Sequence, residues 1–162
     1  MINASPTAAN AFEKALAYFT ILLAAMVVAA LVRGREHLDA IPPAIWLHIV
    51  SLSVALVLTP IMLLRRRGDG LHRKLGWIWA IAMVITALDS LQVRVINSGN
   101  FSAIHILSIV VLITVPLLVW RARKHQVAAH RRGVRIIVTA GVLGAGFYAF
   151  PVTRLLGRLL FG

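Results

Sequence analysis

Imidazoles at two recurring positions are the groups in this sequence best suited to chemistry. His48 and His72 stand 24 residues apart, and His105 and His130 stand 25 apart. Both pairs follow one pattern. The first histidine lies three residues before a serine (Ser51, Ser108). The second is followed by arginine (Arg73, Arg131) and soon by glycine (Gly76, Gly133). A neutral imidazole offers one lone pair to a proton or a metal, and two facing imidazoles supply both axial ligands of a b-type haem. The arginines add planar donor forks suited to haem propionates. The expected cofactor set is therefore His48 with His105 and His72 with His130 on haem iron, Arg73 and Arg131 on propionates, and one or two haems b in all. No catalytic residue is expected beyond these ligands.

Other metal chemistry is excluded more firmly. The chain has no cysteine, so disulfides, thiolate zinc, iron–sulfur clusters and covalently attached c-type haem are ruled out. There is no glycine-rich phosphate loop, no serine nucleophile elbow and no HExxH motif. Asp89 is the one carboxylate well inside an apolar segment, and such an acid is a candidate for moving protons or touching a substrate headgroup. A plain ion pair with Arg94 is the competing account. The histidines have plain accounts too. His72 and His130 suit anchoring to lipid phosphate, and His48 and His105 suit hydrogen bonds to a neighbouring helix. Glycine stripes beside them serve helix packing as readily as a macrocycle. His37 and His125 fall in polar loops and carry no expected role.

Helices that cross a membrane must position these groups. Of 162 residues, 60% are hydrophobic and the mean hydropathy is +0.87. Soluble domains are nearer 45–50% apolar, and a chain this short has too little interior to hide the excess. Apolar runs at residues 12–32, 43–64, 71–95, 101–120 and 129–150 give five expected spans in an all-α integral membrane fold. The first carries Glu13 and Lys14 rather than a basic cluster and is expected to be retained, not cleaved as a signal peptide. The tail 151–162 places leucines on one side and Arg154 and Arg158 on the other, as an interfacial amphipathic segment does.

The net charge of +12 is distributed as membrane loops require, not as a nucleic-acid surface. Basic residues crowd into 65–74 and 121–132, whereas 33–40 is nearly neutral and 97–100 is uncharged. The positive-inside rule then puts both basic loops and the N-terminus in the cytoplasm, with the bacterial inner membrane as the expected location.

The histidine pattern extends to whole hairpins. Residues 43–97 and 98–150 align through the serines, the prolines (Pro60, Pro116), the basic turns and the His-Arg helix entrances. A duplicated helical hairpin is expected, forming a four-helix core beside the N-terminal helix and outer loop (1–42). Parallel repeats put His48 level with His105 and His72 level with His130. The vertical gap between levels is about 24 Å.

The motifs LHRKLG (71–76) and AHRRG (129–133) resemble those of a family of small bacterial multi-pass membrane proteins catalogued as a domain of unknown function, over residues 44–150. More distantly, histidines alternating between the two ends of four consecutive helices are similar to the transmembrane di-haem ferric reductases, the ascorbate-using b-type cytochromes. That resemblance implies haem held by the first and third core helices and by the second and fourth. Five spans instead of six, and no recognisable ascorbate site, leave the substrate open. The expected function is a membrane b-type cytochrome passing electrons from a quinol or soluble donor. The alternatives are a haem-free accessory or assembly subunit of a larger membrane complex, and a small proton-coupled transporter.

Overall fold

The computed structural model of the chain describes residues 8–92 and 102–162, and they are all-α. Helix α1 (Ala11–Arg33) begins at a capping box. Asn10 Oδ1 accepts the Glu13 amide at 3.0 Å, and the Glu13 carboxylate accepts the Asn10 amide at 3.1 Å. A short 3₁₀ turn, Arg35–Ala40, leads to α2 (Pro43–Leu64). Proline at its first position loses no intrahelical bond there. In α3 (Gly70–Gln92) the start is fixed by Asp69, whose Oδ1 accepts the His72 amide at 2.6 Å. The Arg65 guanidinium, then that amide, hold the Asp69 carboxyl below its ordinary range, so this cap weakens only as pH falls through the lowered value.

Helix α4 (Ala103–Arg123) is followed by α5 (Val127–Ile137), a π-helical segment Val138–Gly144, α6 (Ala145–Tyr148) and α7 (Leu155–Phe161). Among the described residues, four helices are long and apolar enough to cross a membrane: α1, α2, α3 and α4 from Ile104. The expected span 129–150 takes a different form. It runs as α5, the π segment and α6 in unbroken succession, with Gly141 and Gly144 inside the π segment. The end of the expected span 71–95, the uncharged loop 97–100 and Arg94 lie outside the described residues.

Consecutive helices pack side by side, and α1 closes the arrangement against both α2 and the π segment. The N-terminal helix, expected as an appendage, thus buries Ala17, Thr20, Leu23 and Ala30 in the common core with Leu56, Met83, Val115, Ile137 and Val142. The outer faces carry Tyr18, Val28, Val57, Ile81, Ile106, Ile113 and Ile136 in exposed positions. Lipid tails are the solvent for such a surface. The helix starts bring Glu13 of α1, the 65–69 turn and Arg131 of α5 to one end. The Arg35–Ala40 turn and α7 lie at the other, where Leu159 of α7 fills the space in front of Gly34.

Two contacts fix this packing. Trp79 Nε1 donates to Thr59 Oγ1 at 2.9 Å, joining α2 and α3 in the core. Thr59→Val keeps the volume and strands the indole N–H, so it is expected to cost about 1–3 kcal/mol, read by thermal unfolding in detergent. Helix α7 turns back on the bundle because Gly157 packs against the carbonyl oxygens of Phe150 and Pro151, where a Cβ has no room. Backbone cannot yield as a side chain can, so Gly157→Ala is expected to lift α7 from α1 at about 1–3 kcal/mol. Faster protease cleavage between residues 149 and 155 is the readout.

Candidate functional site: a histidine–carboxylate pair beside an apolar cavity

Helices α2, α3 and α4, the π segment and α7 surround a cavity of ≈ 1040 Å³. Small-molecule sites typically occupy about 300–1,000 Å³, so this one has room for a ring system and part of a chain. Its wall is largely apolar, with Leu52, Leu56, Met83, Val111, Leu156 and Leu159. The polar exceptions are His48, Ser53, Thr86, Ser90 and Ser108 on the helices, and His37, Tyr148, Arg154 and Arg158 toward the α7 end. Gly141 of the π segment also faces it. π segments are frequent at functional sites because the widened turn moves one face of a helix.

His48 sits on this wall beside a carboxylate. Its Nδ1 lies 3.5 Å from Asp89 Oδ2, and the two side chains are 31% and 5% exposed. The contrast assigns roles. Asp89 is shielded from water and needs a counter-charge, whereas His48 retains access to the cavity. The separation is too long for a strong hydrogen bond, and neither atom finds another partner among the described residues. Such a pair tightens once a proton or ligand arrives. One turn along, Thr86 Oγ1 and Ser51 Oγ lie 2.8 Å apart and lock α2 to α3. The sequence suggested Arg94 as the partner of Asp89; Arg94 lies outside the described residues, and among those described His48 stands beside it.

The other histidines differ in what they offer a metal. His105 is 2% exposed and completes a capping box with Ser102 at the start of α4. The Ser102 amide donates to His105 Nδ1 at 3.0 Å. The Ser102 hydroxyl and carbonyl lie 3.2 and 3.3 Å from the same nitrogen, so Ser102 engages this edge of the ring. His105 is not on the cavity wall where His48 stands, so the cavity does not bring these two imidazoles together. His130 Nδ1 lies 3.0 Å from the Leu118 carbonyl, which can only accept, so Nε2 of the neutral ring keeps its lone pair. This is the usual orientation of a ligating histidine. His72 has a buried Nδ1 without a hydrogen-bond partner among the described residues. His72 and His130 thus each keep a ring nitrogen chemically able to ligate. Among the described residues no three metal-ligating side chains cluster together. Arg73 is exposed and leans on the Gly68 carbonyl at 3.4 Å. His125 adopts φ 56° at the α4–α5 turn and takes part in no site.

Arg131 is engaged elsewhere, by a residue the sequence reading passed over. Glu13 is 1% exposed. Arg131 grips it through Nε at 2.5 Å and Nη2 at 2.7 Å. Arg67 adds a bond of 2.6 Å, and Arg135 contacts it at 3.1 Å. The only sequence signal was the spacing of Asn10 and Glu13, which spells a capping box. Nothing local indicates arginines 54 and 118 residues away.

Compared with known proteins, the chain matches no protein-family profile, no curated protein and no solved structure.

Proposed function

We propose that the chain is a membrane redox protein of the b-type cytochrome kind, in which the cavity receives a quinol-class amphiphile and His48, backed by Asp89, takes up its proton. The observation that carries this reading is the imidazole–carboxylate pair opening onto a large apolar cavity. A quinol has an apolar tail for Leu52, Leu156 and Leu159, and a hydroxyl for the His48 ring. Proton transfer leaves an imidazolium, and the buried Asp89 carboxylate stabilises it. Haem b, when bound, supplies the electron acceptor. The chain's part would be to hold it through His72 and His130, with Leu118 orienting the His130 ring. This revises the four-ligand arrangement to one haem level, because His48 lines the cavity and His105 does not.

The membrane topology belongs to the same proposal. In it residues 129–150 make the fifth crossing, with the basic turns and the N-terminus in the bacterial cytoplasm. The α2–α3 and α4–α5 hairpins descend from one duplicated unit. Ser51 and Ser108 support this, since each hydroxyl bonds the carbonyl four residues earlier, Leu47 and Ile104. The motifs at 71–76 and 129–133 support kinship with the small bacterial family named above.

Purified protein is expected to show a reduced-minus-oxidised b-type spectrum that quinol addition generates and that His130→Ala abolishes. Colourless protein from haem-replete cells would overturn the redox part. A second reading, a haem-free accessory subunit that binds an amphiphile, is favoured by the commitment of Arg131 to Glu13. It predicts quinone binding without a spectrum, and unchanged association with partner subunits when His72 and His130 are replaced. A proton-coupled transporter remains the third expectation; it predicts liposome flux that Asp89→Asn abolishes.

A further inference from the structure

A cluster of like charges stands at the opposite end of the bundle, where Arg67 and Arg131 also reach the Ala8 carbonyl. Three guanidinium groups, Arg67, Arg131 and Arg135, converge on the single carboxylate of Glu13, which leaves an excess of +2 in one constellation. The arginines are neither dissolved in solvent nor sealed in the core: their side chains are 16%, 25% and 32% exposed. Glu13 keeps the forks in place from below. Its Oε2 also receives the Asn10 amide, so each carboxylate oxygen already accepts several donors. Arg135 lies over the Phe12 ring, 5.9 Å from its centroid, and Phe12 and Ile136 are exposed apolar side chains immediately beside it. A cationic pocket edged by lipid-facing apolar residues is complementary to an anion attached to a hydrocarbon chain.

We propose that Arg67, Arg131 and Arg135 bind a phosphate anion here, supplied by an anionic phospholipid headgroup whose acyl chain lies along Phe12 and Ile136. Guanidinium forks match phosphate oxygens in pairs, and the two excess charges favour a headgroup of net negative charge over a zwitterionic one. The site is distinct from the cavity and does not depend on the redox reading. It joins α1, the α2–α3 turn and α5 through one ligand, so lipid would strengthen a contact that Glu13 already makes.

The test uses the full chain in nanodiscs of phosphatidylcholine, with or without phosphatidylglycerol. Native mass spectrometry counts retained lipid, and inorganic phosphate serves as competitor. Selective retention of phosphatidylglycerol is expected, falling roughly fivefold in Arg135→Gln and less in Arg135→Lys. Lys14→Gln removes the same charge from an exposed position beside the cluster and should leave retention unchanged. Phosphate binding that displaces no lipid would assign the anion to a soluble source. Equal losses in Arg135→Gln and Lys14→Gln, or equal retention of the two lipids, would overturn the site. Melting curves of each variant separate lost binding from lost folding.

Discussion

Glu13→Gln is expected to lower folding stability by about 3–5 kcal/mol, the largest single effect in the molecule. The glutamine side chain keeps the shape of Glu13 and its capping bond but removes the charge. Arg67, Arg131 and Arg135 are then left facing one another at the edge of a low-dielectric interior, with no anion between them. Breaking a buried ion pair from one side costs far more than the pair contributes net, because the desolvated partner remains. Glu13→Gln combined with Arg131→Gln should recover part of the loss, giving a coupling energy in a double-mutant cycle. Thermal unfolding of the four proteins in one detergent is the measurement. A loss below about 0.5 kcal/mol, the range of ordinary surface substitutions, would show that water reaches the cluster freely.

His48→Ala is expected to slow quinol-driven reduction by about 10²–10⁴-fold, the usual contribution of a positioned general base. Asp89→Asn should act in the same direction but less, since it leaves the imidazole and removes only its stabilising charge. The double variant should be no slower than His48→Ala, because Asp89 works through the histidine. Stopped-flow reduction followed in the haem band separates these outcomes. Additive losses would mean that Asp89 acts on its own partner. His105→Gln is the informative contrast. It removes the imidazole while Ser102 still holds a side-chain acceptor, so it should leave both the spectrum and the rate near those of the parent.

Periodicity and chemistry type were legible in the chain wherever the cause was local. Apolar runs bounded by prolines, arginines and caps located α1 to α4 to within a few residues, because lipid length and backbone hydrogen bonding leave few alternatives. The segment 129–150 was legible as apolar, but not that Val138–Gly144 within it is π-helical. There Gly141 meets Val111 of α4, and Gly146 just beyond meets Leu23 of α1, contacts that exist only in the packed bundle. The tail was legible as amphipathic, but its docking on α1 was not, since that rests on a close approach of Gly157 to backbone carbonyls.

The histidines divide along the same line. Sequence by itself determined that four imidazoles recur in register, that no thiolate competes with them, and that the charge collects in two turns. Only the tertiary structure decided what each ring nitrogen meets, because the partners come from the folded chain: the Leu118 carbonyl for His130 and Ser102 for His105. It alone decided that Asp89 stands beside His48 and that Glu13 gathers three arginines. Those pairings join residues 41, 54, 118 and 122 positions apart, and at such separations the balance of desolvation and Coulomb attraction exists only once the helices have packed.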